Sequence, residues 1–117
     1  MAGSFRHFRA GPDIFGRIWQ VDLLWLQNAV AIRRSDSVDV KFTLASGEDR
    51  IERVVSMRRP DLLRLSRGAG AALSDPWCMK LAARHIAYMI RTGTDFEKSL
   101  VTVEAPLLAA HAAGEEA

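Results

Sequence analysis

The sequence predicts one small α+β domain, with an antiparallel sheet of three or four strands and two or three helices. Three observations carry that expectation. A run with a period of two is followed by a glycine turn and a second apolar-rich run. A longer stretch opens on Asp-Pro and closes on Gly, as helices do. Strand-like segments come mostly as neighbours joined by short turns, which argues against repeated βαβ units. A length of 117 residues fits one domain, and 49% apolar with 26% charged residues is ordinary for a globular core.

The elements follow in order. Residues 1–12 read as a flexible lead-in ahead of a folded unit at 13–103. From Asp13 to Gln27 two periods compete. Ile14, Ile18, Val21, Trp25 and Ala29 recur at helical steps, whereas Trp19, Val21, Leu23 and Trp25 alternate as on a strand. Asp22 falls inside the apolar stripe of the helix and on the polar face of the strand; the helical reading is preferred. Ala29–Arg33 reads as a short strand, leading through Arg34-Ser35-Asp36-Ser37 into a central hairpin at 38–57.

In that hairpin Val38, Val40, Phe42 and Leu44 alternate with Asp39, Lys41, Thr43 and Ala45. A two-residue turn at Ser46-Gly47 would set Phe42 opposite Ile51 and Lys41 opposite Glu52, one apolar pair and one charged pair. Pro60–Arg67 reads as a short helix ending at Gly68. The longest helix is expected at 75–92, with Asp75 as N-cap, Pro76 in its first turn and Gly93 as its stop. Cys78, Leu81, Ala82, Ile86, Met89 and Ile90 form its apolar arc. Leu100–Val103 reads as a strand. Residues 104–117 read as an acidic, frayed tail with at most a weak helix.

Composition narrows the function classes. The single cysteine, Cys78, rules out an internal disulfide and suits a reducing, cytoplasmic setting. Residues 1–12 carry two arginines and no apolar run, so no secretory leader is expected. The most apolar window, Ile14–Ile32, is interrupted by Arg17, Gln20, Asp22, Gln27 and Asn28, which argues against a membrane span. A net charge of +2 is too mild to indicate nucleic acid by itself. Thirteen of the sixteen basic residues are arginine, as a GC-rich coding sequence would give.

No motif announces catalysis, a metal or a cofactor. His7, His85 and His111 are far apart in sequence, and His85 lies seven residues from Cys78, too far along one helix to clasp an ion with it. Cys78 sits near a helix N-terminus, where a thiol can be activated, but it shares the apolar arc, which marks it as core. Ser66-Arg67-Gly68-Ala69-Gly70 follows a helix instead of a strand, so it reads as a cap and not as a phosphate loop. Asp36 and Asp39 fit a turn and an outward strand position.

Two surfaces remain. Arg58, Arg59, Arg64 and Arg67, with Lys80, Arg84 and Arg91 on the next helix, form a candidate basic patch beside Trp77 and Tyr88. Trp19 and Trp25 lie in the most apolar segment and are the candidate partner interface, since tryptophan is a frequent interface anchor. The expectation is therefore a non-catalytic protein-interaction or regulatory module that meets another protein or itself, a homodimer being the simplest form. The alternative is a binder of nucleic acid or a phosphate ligand through the arginines. A small enzyme with an unrecognised site ranks third.

Overall fold

The computed structural model describes residues 5–29, 36–70 and 73–114. It is α+β, with a five-stranded mixed sheet and three helices. The strands are β1 (His7–Ala10), β2 (Trp19–Ala29), β3 (Ser37–Ser46), β4 (Asp49–Arg58) and β5 (Leu100–Thr102), in the spatial order β1-β2-β3-β4-β5. The helices are α1 (Arg59–Ala69), α2 (Asp75–Thr92) and α3 (Ala105–Ala113). The first four strands form an antiparallel meander. β5 then lies parallel to β4 after a crossover made of α1 and α2, as a parallel neighbour requires.

The hairpin is the centre of the sheet. Val40, Phe42 and Leu44 are fully buried and Val38 nearly so, all on the helix-covered face. The turn differs from the expected one. Ser46 pairs with Asp49, so the loop is Gly47-Glu48, with Gly47 at φ 60° in its first position. The pairing therefore slides by two residues. Phe42 faces Arg53, Leu44 faces Ile51, and Thr43 faces Glu52. A slide of two preserves the faces. Lys41 and Glu52 still meet, diagonally, in a 2.9 Å ion pair.

Residues 13–27 are not a helix. Asp13–Ile18 is an irregular loop, and β2 begins at Trp19. The register on β3 shifts between Leu23 and Trp25, so Leu24 is the extra residue of a bulge. Trp19 and Val21 point into the core, and Leu23 lies across from Phe42 on the same face. Past the bulge, Leu26 opposes Val40 on that face, while Trp25 opposes Lys41 on the other. A bulge resets the alternation, which is why the segment mixed both periods. The expected strand at Ala29–Arg33 is represented only by the last residue of β2; 30–35 lie outside the described residues.

Both ends of the domain extend beyond 13–103. His7–Ala10, expected as part of a flexible lead, is strand β1 on β2. The acidic tail contains α3, with Pro106 in its first turn, Gly114 at φ 73° past its end, and Leu108 and His111 fully buried. It folds because those two side chains complete the core against α1 and α2.

α2 is close to expectation. Ser74, one residue earlier than Asp75, is the cap: its Oγ accepts from Trp77 N–H at 3.3 Å. Gly93 closes the helix at φ 77°, its N–H donating to the Met89 carbonyl. α1 starts at Arg59 and runs past Gly68 to a Gly70 cap. Helices cover one sheet face only among the described residues. The other face carries Trp25, Lys41, Glu52 and Leu100. No described helix is long and apolar enough to cross a membrane.

Candidate functional site

Three connections meet at one end of the sheet: 11–18 between β1 and β2, the Gly47-Glu48 turn, and 93–99 between α2 and β5. Arg17 Nη1 donates to Asp49 at 3.0 Å, tying the first to the second. Ile14 lies against Gly93, tying it to the third. Arg53 Nε donates to the Phe96 carbonyl at 2.7 Å, and its guanidinium lies over the Phe96 ring, fixing the third to β4.

The 11–18 loop is organised by one carboxylate. Asp13 is nearly buried. Its Oδ1 accepts from the Phe15 and Arg17 backbone N–H groups, both at 2.8 Å. Its Oδ2 accepts from the Trp19 indole and from Arg17 Nε, both at 3.0 Å. Its own N–H donates to the Arg17 carbonyl, and its carbonyl accepts from Gly16. Burial alone would favour the protonated acid. The donors from Trp19, Arg17 and Phe15 outweigh it and hold the carboxyl well below the usual carboxylate range. Gly11, at φ 132°, permits the entry: a Cβ there would stand 2.7 Å from the Arg17 carbonyl oxygen. Behind the loop, Trp19 is 1% exposed, edge-on to Phe96 and under the Arg17 guanidinium at 4.7 Å.

This frame pushes apolar side chains outward. Ile14, Phe15 and Ile18 are 65, 75 and 49% exposed. The Arg17 guanidinium lies 5.8 Å from the Phe15 ring centre. Between Ile14 and Phe15 on one wall and Ile90, Gly93 and Phe96 on the other lies an apolar cavity of about 200 Å³. Ligand pockets usually run to about 300–1,000 Å³. The space suits one inserted side chain better than a cofactor.

The sequence-predicted sites fare differently. Trp19 is core, because its indole serves Asp13; it offers no partner surface. Trp25 is 37% exposed on the open sheet face, within cation–π range of Lys41. The basic residues are spread along the end of β4, α1 and α2, and the main helix contacts of both helices are with α3. Several are engaged internally. Arg58 and Arg64 both face Asp61, Arg59 donates to Asn28, and Arg84 donates to the His111 carbonyl. Arg67 lies on α1, and Lys80 and Arg91 lie on α2. Cys78 is buried, and desolvation, with Asp75 adding and Arg59 opposing, pushes its thiol up to about 11. His85 and His111 meet inside the helix layer. Among the described residues no three His, Cys, Asp or Glu side chains cluster as metal ligands would.

Sequence reasoning missed Asp13, Ile14, Phe15 and Ile18 as a unit. The signal was present: Gly11-Pro12 and Gly16 bracket an apolar pair, and turn residues around apolar side chains mark a loop that displays them.

Comparison of the chain with protein-family models, with curated proteins and with solved structures finds no match.

Proposed function

We propose that this chain is a non-catalytic protein-interaction or regulatory module whose 11–18 loop inserts into a partner protein, either another chain or a second copy of this one. One observation carries the reading: adjacent apolar side chains, Ile14 and Phe15, stand exposed on a loop held by six hydrogen bonds through Asp13. Singly exposed apolar residues are normal on any surface. Here the backbone beneath them is already ordered, so binding would lose little loop entropy, and aromatic anchors of this kind dominate interface energies. A loop that existed only to connect β1 and β2 would have no use for them.

The burial of Cys78, which pushes its thiol up to about 11, fits a cytoplasmic interaction protein without a thiol chemistry of its own. Binding of nucleic acid or a phosphate ligand through the arginines has less support, because Arg58, Arg59, Arg64 and Arg84 are engaged within the chain.

The test is solution mass by light scattering, on protein isolated from the cells that make it. The wild type is expected as a dimer or with a retained partner, and the double variant Ile14→Ser/Phe15→Ser as a folded, partner-free monomer. A variant that keeps the wild-type assembly overturns the proposal, as does a wild type that is itself monomeric and partner-free.

A further inference from the structure

Among the described residues β1 is the outermost strand on its side of the sheet. Leu23 N–H donates to the Arg6 carbonyl at 2.7 Å, and the register runs on through Phe8–Val21 and Ala10–Trp19. Along an antiparallel strand the main-chain groups face alternate sides. Those of Phe8 and Ala10 therefore serve β2, and those of His7 and Arg9 turn outward. Such an edge is a template for another strand. β1 carries neither proline nor bulge to blunt it. We propose that this edge pairs antiparallel with β1 of a second copy, about a two-fold axis at Phe8. The pairing continues the sheet through the dimer and, resting on the reading of 11–18 as a partner-binding loop, makes the second copy the partner of that loop.

Side chains select the register. With the axis at Phe8, His7 of each copy faces Arg9 of the other, and each pair exchanges both its N–H···O bonds. An axis at Arg9 would set two guanidiniums directly opposite, which is unfavourable. An axis at His7 would set the apolar Phe8 against Arg6. With the axis at Phe8, Arg9 of one copy joins a row that holds His7 and its partner Asp22, whose Oδ1 lies 2.7 Å from His7 Nδ1. A guanidinium thus approaches a row that ends in a carboxylate.

The apolar groups agree. Phe8 lies across from the core residue Val21 and is half-buried at the rim of the core. On the axis the two Phe8 residues form a non-hydrogen-bonded pair, the closer of the two kinds, and cover each other's rims. Phe5, 37% exposed, comes opposite Gly11 of the other copy. Gly11 adjoins Ile18, since a Cβ on Gly11 would stand 3.3 Å from the Ile18 Cα, and Ile18 is 49% exposed. Phe5 of each copy therefore reaches the root of the other's loop, and edge and loop form one self-complementary surface.

Arg9→Pro tests the edge, because it removes an outward N–H and none that β2 uses. In light scattering the wild type is expected at dimer mass, and Arg9→Pro at about half of it with unchanged far-UV circular dichroism. Cysteine cross-linking gives a second readout. At the axis the two Cα atoms of residue 8 stand about 4.5 Å apart, within disulfide reach, whereas those of residue 9 lie more than about 7 Å apart. Diamide at neutral pH should therefore join Phe8→Cys into covalent dimers, but not Arg9→Cys, with the wild type and its buried Cys78 as background. A wild-type dimer that survives in Arg9→Pro overturns the edge pairing; if Ile14→Ser/Phe15→Ser abolishes that dimer, the loop reading stands. A monomeric wild type that retains a different protein also overturns the second copy and leaves the loop reading intact. A dimer lost in Arg9→Pro and kept in the loop variant supports the edge and refutes the loop. A monomeric, partner-free wild type overturns both. Should Arg9→Pro not fold, the cysteines decide: cross-linking at position 8 alone supports the edge, and equal or absent cross-linking refutes it.

Discussion

Replacing Phe15 by serine separates a residue kept for contact from one kept for folding. Phe15 is 75% exposed, so folding removes only about a quarter of its side chain from water. Full burial of a phenylalanine is worth about 1.5–3 kcal/mol, so this quarter contributes roughly 0.5 kcal/mol. The contact with the Arg17 guanidinium at 5.8 Å adds no more than about 0.5–1 kcal/mol at an exposed site. Phe15→Ser should therefore cost about 1 kcal/mol in all. Phe42, fully buried between β2 and β4, gives the contrast: Phe42→Ala should cost about 3–5 kcal/mol. Urea midpoints at constant slope measure both. A loss at Phe15 equal to that at Phe42 would mean that Phe15 supports the fold, and the argument for a displayed loop would fail.

Gly11→Ala should be costly for its size. A methyl group would meet the Arg17 carbonyl oxygen at 2.7 Å and sit at φ 132°, so a loss of about 2–3 kcal/mol is expected in the same assay. Cys78, with its thiol raised to about 11, should resist dithionitrobenzoate at neutral pH until denaturant is added; prompt labelling of native protein would contradict its place in the core. His85 makes overall stability fall in acid. Its affinity for protons is lower folded, about 4, than unfolded, 6.5, so its contribution is whole above pH 6.5 and is lost as pH falls toward 4. The loss is roughly 3 kcal/mol, read from urea midpoints along a pH series, and a flat profile over that range would contradict the buried, neutral imidazole.

The elements legible in the sequence are those fixed by local chemistry. The β3–β4 alternation and the glycine-capped α2 depend on a few neighbouring residues, so pattern sufficed. The hairpin register slipped by two because glycine takes the first turn position, Gly47, and not the second. What escaped depends on distant partners. β1 is four residues without clear alternation and is a strand only because β2 offers an edge. β5 sits beside β4 through a crossover that no local pattern encodes. The bulge at Leu24 put Trp19 and Trp25 on opposite faces, where a regular strand would have aligned them. α3 had its signals, Pro106 and Gly114, but its stability comes from Leu108 and His111 meeting the core, which composition alone does not reveal. In the candidate site, Asp13 stood at the start of a segment read as helix, and its role arises only when Trp19 is brought above it.

The central claim is that the 11–18 loop meets a partner. Site-specific photo-crosslinking tests it most directly, with p-benzoylphenylalanine placed at position 15 in the cells that make the protein and, as a control, at the exposed Arg67 on α1. The account predicts one defined adduct from position 15, to another protein or to a second copy, and none from position 67. Adducts from position 67 alone, or equal and diffuse adducts from both, would contradict it.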